Sequence, residues 1–173
     1  EKYSCRNIVF SSSATIYDAS LKNELIKEDC FKKPTTPYGE SKYTIEKILE
    51  GIYRGSNKKW GIINLRYFNP IGAHNEGIIG EDPLSKYHNI FPLILDVAFG
   101  IKKEIQIFGK DWPTIDGTGV RDYIHVMDLA DAHIAALERI MTNKNELINL
   151  NIGTGIGTSV LELTNIFEEV NSL

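Results

Sequence analysis

Thr36-Pro37-Tyr38-Gly39-Glu40-Ser41-Lys42 opens the segment from which the fold can be read. Thr36 is an N-cap residue type and Pro37 suits the first helical position, where its missing N–H leaves nothing unpaired. Ile45, Ile48, Leu49 and Ile52 follow at helical spacing, with Glu40, Glu46, Lys47 and Glu50 expected on the wetter side and Gly55-Ser56-Asn57 as the stop. On either side lie short apolar runs, Ile8-Val9-Phe10 leading into Ser11-Ser12-Ser13, and Ile62-Ile63-Asn64-Leu65-Arg66-Tyr67-Phe68. Strand, crossover helix, strand is the unit of a doubly wound parallel α/β sheet. Ligands of such sheets bind beyond the carboxyl ends of the strands, which is where the three serines fall.

Tyr38 and Lys42 are four residues apart, so on a helix they leave the same face one turn apart. A phenol beside an ammonium is a tunable base, because the positive charge favours the phenolate. The spacing alone equally describes an amphipathic helix with a surface lysine. Serines at a strand end likewise often serve only as turn residues.

Further along, Asn69-Pro70 begins a glycine-rich loop running to Asn89, long enough to suggest function. A helix is expected from Ile90 to Phe99 with Gly100 as its stop, and Ile105-Gln106-Ile107-Phe108 is expected as a short alternating strand. Gly109 to Gly119 forms a second loop. Val120 to Val126 is expected extended, with Asp128 capping a helix that turns Leu129, Ala132, Ala136, Leu137 and Ile140 inward. Leu147–Ile152 reads as a strand. Ser159 and Glu162 form a capping box for a last helix carrying Leu163, Ile166, Phe167 and Val170.

The chain has 173 residues, 42% hydrophobic and 24% charged, an ordinary globular composition. A formal charge of -4 and the absence of a Lys/Arg block argue against a nucleic-acid surface. No apolar run is long enough to span a membrane. Cys5 and Cys30 form no C-x-x-C pair, which fits a reducing, cytoplasmic compartment. His74, His88, His125 and His133 lack metal-ligand spacing, so no metal site is expected. Gly153-Thr154-Gly155-Ile156-Gly157-Thr158 follows a strand and opens a helix, but its third glycine comes one position early for a dinucleotide fingerprint, leaving a tight turn as its reading. The chain starts at Glu1 and enters an apolar run at once, so it is read as a fragment that begins in mid-protein.

Five stretches occur in the order and spacing of one enzyme family: Ser11-Ser12-Ser13-Ala14-Thr15, Tyr38-Gly39-Glu40-Ser41-Lys42, Leu65-Arg66-Tyr67-Phe68-Asn69-Pro70, Gly80-Glu81-Asp82-Pro83, and the most specific, Asp116 to Val126. Together they resemble the UDP-glucose/UDP-galactose 4-epimerases, members of the extended short-chain dehydrogenase/reductases. The resemblance implies the latter half of an NAD(P)-binding Rossmann-like sheet over residues 1–69. It implies an interleaved smaller nucleotide-sugar-binding region over 70–173, with strands and a helix around 120–152 returning to the Rossmann sheet.

It also implies roles. Tyr38 would be the base for the sugar 4-hydroxyl, Lys42 would favour its phenolate and hold the nicotinamide ribose, and Ser13 would hydrogen-bond the same hydroxyl. Ser11, Tyr67 and Phe68 would join Ser13, Tyr38 and Lys42 around NAD. Asn69, Asn89, Gln106, Ile107, Phe108 and Arg121 would join Ser13 and Tyr38 around UDP-galactose or UDP-glucose. A fork of donors from Arg121 suits a diphosphate, and Phe108 suits stacking on a base. A homodimer is implied through helices such as the one after Tyr38. Asp18, His88 and Trp112 depart from residues common in the family.

Two other readings use the same scaffold. A nucleotide-sugar 4,6-dehydratase or decarboxylase would be expected to place an acidic residue beside the active serine, and Ser13-Ala14-Thr15 has none. A non-catalytic NAD-binding scaffold protein would have no need of Tyr38, Lys42 and Ser13 together. No glycine-rich phosphate loop occurs in the sequence, so the chain by itself is expected to bind NAD weakly.

Overall fold

The structure, a computed structural model, describes residues 5–18, 25–81, 89–143 and 145–173. His88, Asp82 and Pro83, named in the sequence reading, lie outside the described residues. The chain divides into two compact units, one formed by Glu1–Phe68 with Asp128–Gly153 and the other by Asn69–Met127 with Thr154–Leu173.

The first unit is a parallel sheet with helices. Its strands are β1 (Asn7–Ser13), β2 (Gly61–Tyr67) and β5 (Leu147–Ile152), in the order β1-β2-β5. Central β2 is covered on both faces, which explains its nearly unbroken apolar run. Ile63 and Leu65 on one face pack with Ala136 and Ile140 of α3 (Val126–Thr142), and Val9, Tyr67, Ile148, Leu150 and Ile152 close this core. Helix α3 starts two residues before Asp128, which sits in its first turn rather than at the cap, and Leu137 is exposed.

The crossover helix is α1 (Pro37–Gly55), with Thr36 Oγ1 accepting from the Gly39 N–H as its cap chemistry requires. Its inward face differs from expectation. Gly39, Glu46 and Leu49 are buried, while Ile45, Ile48 and Ile52 remain partly exposed. Glu46 was expected on the wet side, but it is drawn in because Arg66, on the facing side of β2, needs a buried counter-charge.

The second unit contains β3 (Asn69–Ile71), β4 (Val120–His125) and β6 (Gly157–Ser159) in the order β3-β4-β6, with helices α2 (Ile90–Ala98) and α4 (Val160–Asn171). Of the strands and helix around 120–152 expected to return to the Rossmann sheet, β5 and α3 do so, but the strand near residue 120 does not. Instead β4 pairs in parallel with β3 and antiparallel with β6. Both partners are three-residue strands, β3 containing Pro70 and β6 starting in the Gly-rich turn, too short to show a periodicity of two. Ile105–Phe108 is not a strand. It has no ladder partner among the described residues, and an alternating pattern cannot make a strand without one.

Ser159 caps α4 and, with Glu162, completes the expected capping box. Rings of Phe91 and Phe167 meet edge to face at 6.0 Å between α2 and α4.

Candidate active site

Three successive serines end β1, and each has a different task, because strand residues alternate between faces. The Ser11 hydroxyl lies 3.3 Å from His133 Nε2 on α3. His133 Nδ1 is 2.8 Å from the Leu129 carbonyl, which can only accept, so Nδ1 carries a proton. Ser12, fully buried on the opposite face, donates to Glu46 at 2.5 Å. Ser13 accepts from both the N–H and the hydroxyl of Thr15, at 3.2 and 3.0 Å, and so starts the short helical turn Ala14–Ile16.

That turn is where α1 arrives. A Cβ on Gly39 would sit 2.7 Å from the Thr15 carbonyl oxygen, so only glycine allows the helix so close. Tyr38, the residue before it, is thereby brought to the turn that Ser13 begins, with its side chain half exposed. One turn on, Lys42 donates to the Ser11 carbonyl at 2.8 Å. Its ammonium is 5.4 Å from the Tyr38 ring centre and 5.2 Å from that of Phe10. Tyr38, Lys42, Ser11 and Ser13 therefore gather at the carboxyl end of β1. Tyr67 ends the neighbouring strand, 6.0 Å from His133 ring to ring, and Phe68 follows it, its N–H bonded to the Ile152 carbonyl.

Behind these residues lies a polar cluster that the sequence reading missed. Arg66 forks onto Glu46, with Nε to Oε1 at 2.9 Å and Nη2 to Oε2 at 2.7 Å. Its Nη1 donates to the Tyr17 hydroxyl and to the Glu28 carbonyl, both at 2.9 Å, and Tyr17 donates to Asn151 Oδ1 on β5 at 2.6 Å. Burial is the largest influence on Arg66 and opposes its charged form, but the hydrogen bonds and charge of Glu46 together with the contact to Tyr17 outweigh it and hold the guanidinium above its ordinary range. Burial likewise raises Tyr17, against the lowering effect of Arg66. Two signals in the sequence pointed here. Arg66 is a charge inside an otherwise buried strand, which demands a partner, and Glu46 is one more step of four beyond Lys42.

In the second unit the expected substrate residues stand largely open. Asn69 is exposed on β3, and Phe108 is 83% exposed after the segment holding Gln106 and half-buried Ile107. Asn89 occupies the cap position of α2 without capping it, its Nδ2 donating to Glu81 at 2.9 Å. Arg121 is exposed, with Nη1 on the Val120 carbonyl at 2.8 Å.

The acidic residues around Arg121 hold backbone. Asp116 accepts from the Thr118 N–H and hydroxyl at 2.8 and 2.7 Å and from the Ser159 hydroxyl, and the bond from Ser159 is the main reason its carboxyl lies below the ordinary range. Asp122 accepts from Thr154 N–H and Oγ1 and from the Gly155 N–H, at 2.9, 2.8 and 2.8 Å, pinning the turn in which Gly155 has φ +73°. Among the described residues no cluster of His, Cys, Asp and Glu could hold a metal ion.

Comparison with known proteins places this arrangement. Over 170 residues the chain is 50% identical to UDP-glucose 4-epimerase 2 of Arabidopsis thaliana, and over 171 residues it is 47% identical to the UDP-glucose 4-epimerase of Bacillus subtilis. The matches take in 98% and 99% of this chain but 48% and 50% of those proteins, so it spans about half the length of the curated relatives it matches. The UDP-glucose 4-epimerase of Bifidobacterium longum, solved with NAD+ and UDP, superposes with a TM-score of 0.88 at 45% identity, over 96% of this chain and 49% of that one. The corresponding Stenotrophomonas maltophila enzyme, solved with NAD and formylated UDP-arabinopyranose, also gives 0.88, at 43% identity over 97% of this chain and 49% of its own. A family model matches residues 1–153, which hold the serine turn, the Tyr38–Lys42 pair and the Arg66 cluster alike, and the chain belongs to the NAD dependent epimerase/dehydratase family.

Proposed function

We propose that the protein interconverts UDP-galactose and UDP-glucose by inverting the sugar at C4 through a transient 4-keto sugar, with NAD as cofactor. The observation that carries this reading is the anchoring of Lys42 to the Ser11 carbonyl, with its ammonium beside Tyr38 at the carboxyl end of β1. The donors and acceptors there suit a nicotinamide ribose, with Lys42 and Tyr38 holding it and Ser11, Ser13, Tyr67 and Phe68 alongside. NAD, when bound, supplies reversible hydride acceptance at C4.

The chain's own residues manage the proton. Lys42 stabilises the Tyr38 phenolate by its charge, Tyr38 takes the proton of the sugar 4-hydroxyl, and Ser13 orients that hydroxyl. The same phenol returns the proton once the opposite face of the sugar is presented. Asn69, Asn89, Gln106, Ile107, Phe108 and Arg121 bind the nucleotide sugar, Phe108 against the base and Arg121 on the diphosphate, whose charge its guanidinium complements. In this reading the first unit serves NAD and the second serves the sugar nucleotide.

A second copy of the chain is the proposed partner, docking on α1, where Ile45, Ile48 and Ile52 are partly exposed at helical spacing. No helix among the described residues is long and apolar enough to cross a membrane, and the two free thiols Cys5 and Cys30 support a cytoplasmic site of action.

The test is conversion of UDP-galactose by the full-length protein with no net redox turnover. Tyr38→Phe is expected to lower kcat by about 10²–10⁴-fold with the fold intact. Undiminished turnover in that variant removes Tyr38 as the base.

A further inference from the structure

A base and its ammonium work only if the helix carrying them stands at the right height above the strand ends. Apolar contacts hold a helix against a sheet but tolerate sliding along it. The other buried residues of α1 are Gly39, which permits close approach to the Thr15 carbonyl without bonding to it, and apolar Leu49. Glu46 is different. It lies four residues beyond Lys42 on the same helix face, where it receives the Ser12 hydroxyl of β1 at 2.5 Å and both arms of the Arg66 fork of β2.

The receiving end is itself immobilised. Arg66 spends further donors on Tyr17 and on the Glu28 carbonyl, and Tyr17 continues to Asn151 on β5. Such a buried pair adds little stability over an apolar pair of similar size, whereas two parallel charge-assisted bonds fix direction and distance. Successive serines of one strand thus hold successive turns of one helix, the Ser11 carbonyl taking Lys42 and the Ser12 hydroxyl meeting Glu46.

We propose that the Glu46–Arg66 fork is the positioning device that sets the height of α1 on the sheet, and with it Lys42 against Ser11 and Tyr38 beside the Ser13 turn. The proposal rests on Tyr38 and Lys42 being the catalytic pair. Glu46 and Arg66 touch neither substrate nor cofactor in this role and act only through α1.

Glu46→Asp in the full-length enzyme keeps the charge and withdraws the carboxylate by about 1.5 Å, so α1 must shift to keep the fork. The expected result is a folded protein whose kcat falls about 10–100-fold, as a misplacement of that size costs, with KM for UDP-galactose within about twofold. Its crystal structure is expected to show Lys42 Nζ out of hydrogen-bonding range of the Ser11 carbonyl. Glu46→Gln keeps the reach and, through its amide oxygen, the Ser12 bond and one arm of the fork, but loses the second arm and the counter-charge, so it should retain more kcat than Glu46→Asp while losing more thermal stability. The reverse ranking of kcat, or an undisplaced Lys42 in Glu46→Asp, overturns the proposal. Should Glu46→Asp not fold, Arg66→Lys is the second variant, since it keeps the charge and loses the fork, and full kcat in it is equally fatal. If the unsubstituted enzyme does not convert UDP-galactose, the proposed function falls, and the Lys42 to Ser11 separation in the variants decides the positioning role alone.

Discussion

The first unit buries the charges of its polar cluster, whereas the carboxylates of Asp116 and Asp122 in the second are only half-buried. Arg66 and Glu46 are 2% and 6% exposed and reach several elements through hydrogen bonds, whereas Asp116 and Asp122 hold backbone turns of exposed loops. The residues proposed for the site follow the same division. Lys42, Ser11 and Ser13 are tied to strand and helix, while Asn69, Phe108 and Arg121 stand exposed. Proton transfer, proposed for Tyr38, Lys42 and Ser13, tolerates little displacement, and these residues gather at the carboxyl end of β1. Recognition of a large ligand, the role proposed for Asn69, Phe108 and Arg121, can be completed when the ligand arrives, and these side chains are exposed on the short strands β3 and β4 and on a loop.

The difference should show first in stability. Glu46→Ala strands a buried guanidinium and is expected to cost about 3–5 kcal/mol, measured by denaturant unfolding. A cost below about 1 kcal/mol would put the cluster on a par with surface ion pairs and end the contrast. Gly39→Ala comes next. The added methyl would press on the Thr15 carbonyl, a backbone atom with little room to yield, for about 1–3 kcal/mol.

Asp122→Ala removes the acceptor from the Thr154 and Gly155 N–H groups and should cost about 1 kcal/mol, read from the same unfolding curves. The smallest effect expected is a pH dependence. Asp116 is held below its ordinary range in the folded state, so its contribution is complete above the unfolded carboxylate range near about 4 and is lost as pH falls through the lower folded value. Tyr17 runs the other way. Its raised folded value means stability is lost as pH climbs above about 10, and comparing alkaline melts of Tyr17→Phe with the parent isolates it.

Much of the architecture was legible because it is written locally. The Thr36-Pro37 start of α1, the Ser159–Glu162 capping box, the stop at Gly100 and the strand Leu147–Ile152 depend on residues within a turn or two of one another. Tyr38 and Lys42 were legible for the same reason, being one helical turn apart. Non-local features were not. Whether Ile105–Phe108 forms a strand, and which strands β4 joins, depends on partners tens of residues away that local periodicity does not name.

Glu46 is the sharpest case. By itself the sequence determined a charged residue on an amphipathic helix, and by composition that reads as solvent-facing. Only the tertiary structure turned it inward, because the cost of burying a carboxylate is met by a guanidinium 20 residues later on the central strand and a serine on the next. Chain-local chemistry decides which elements form, and long-range pairing of charge and hydrogen bonds decides where they stand.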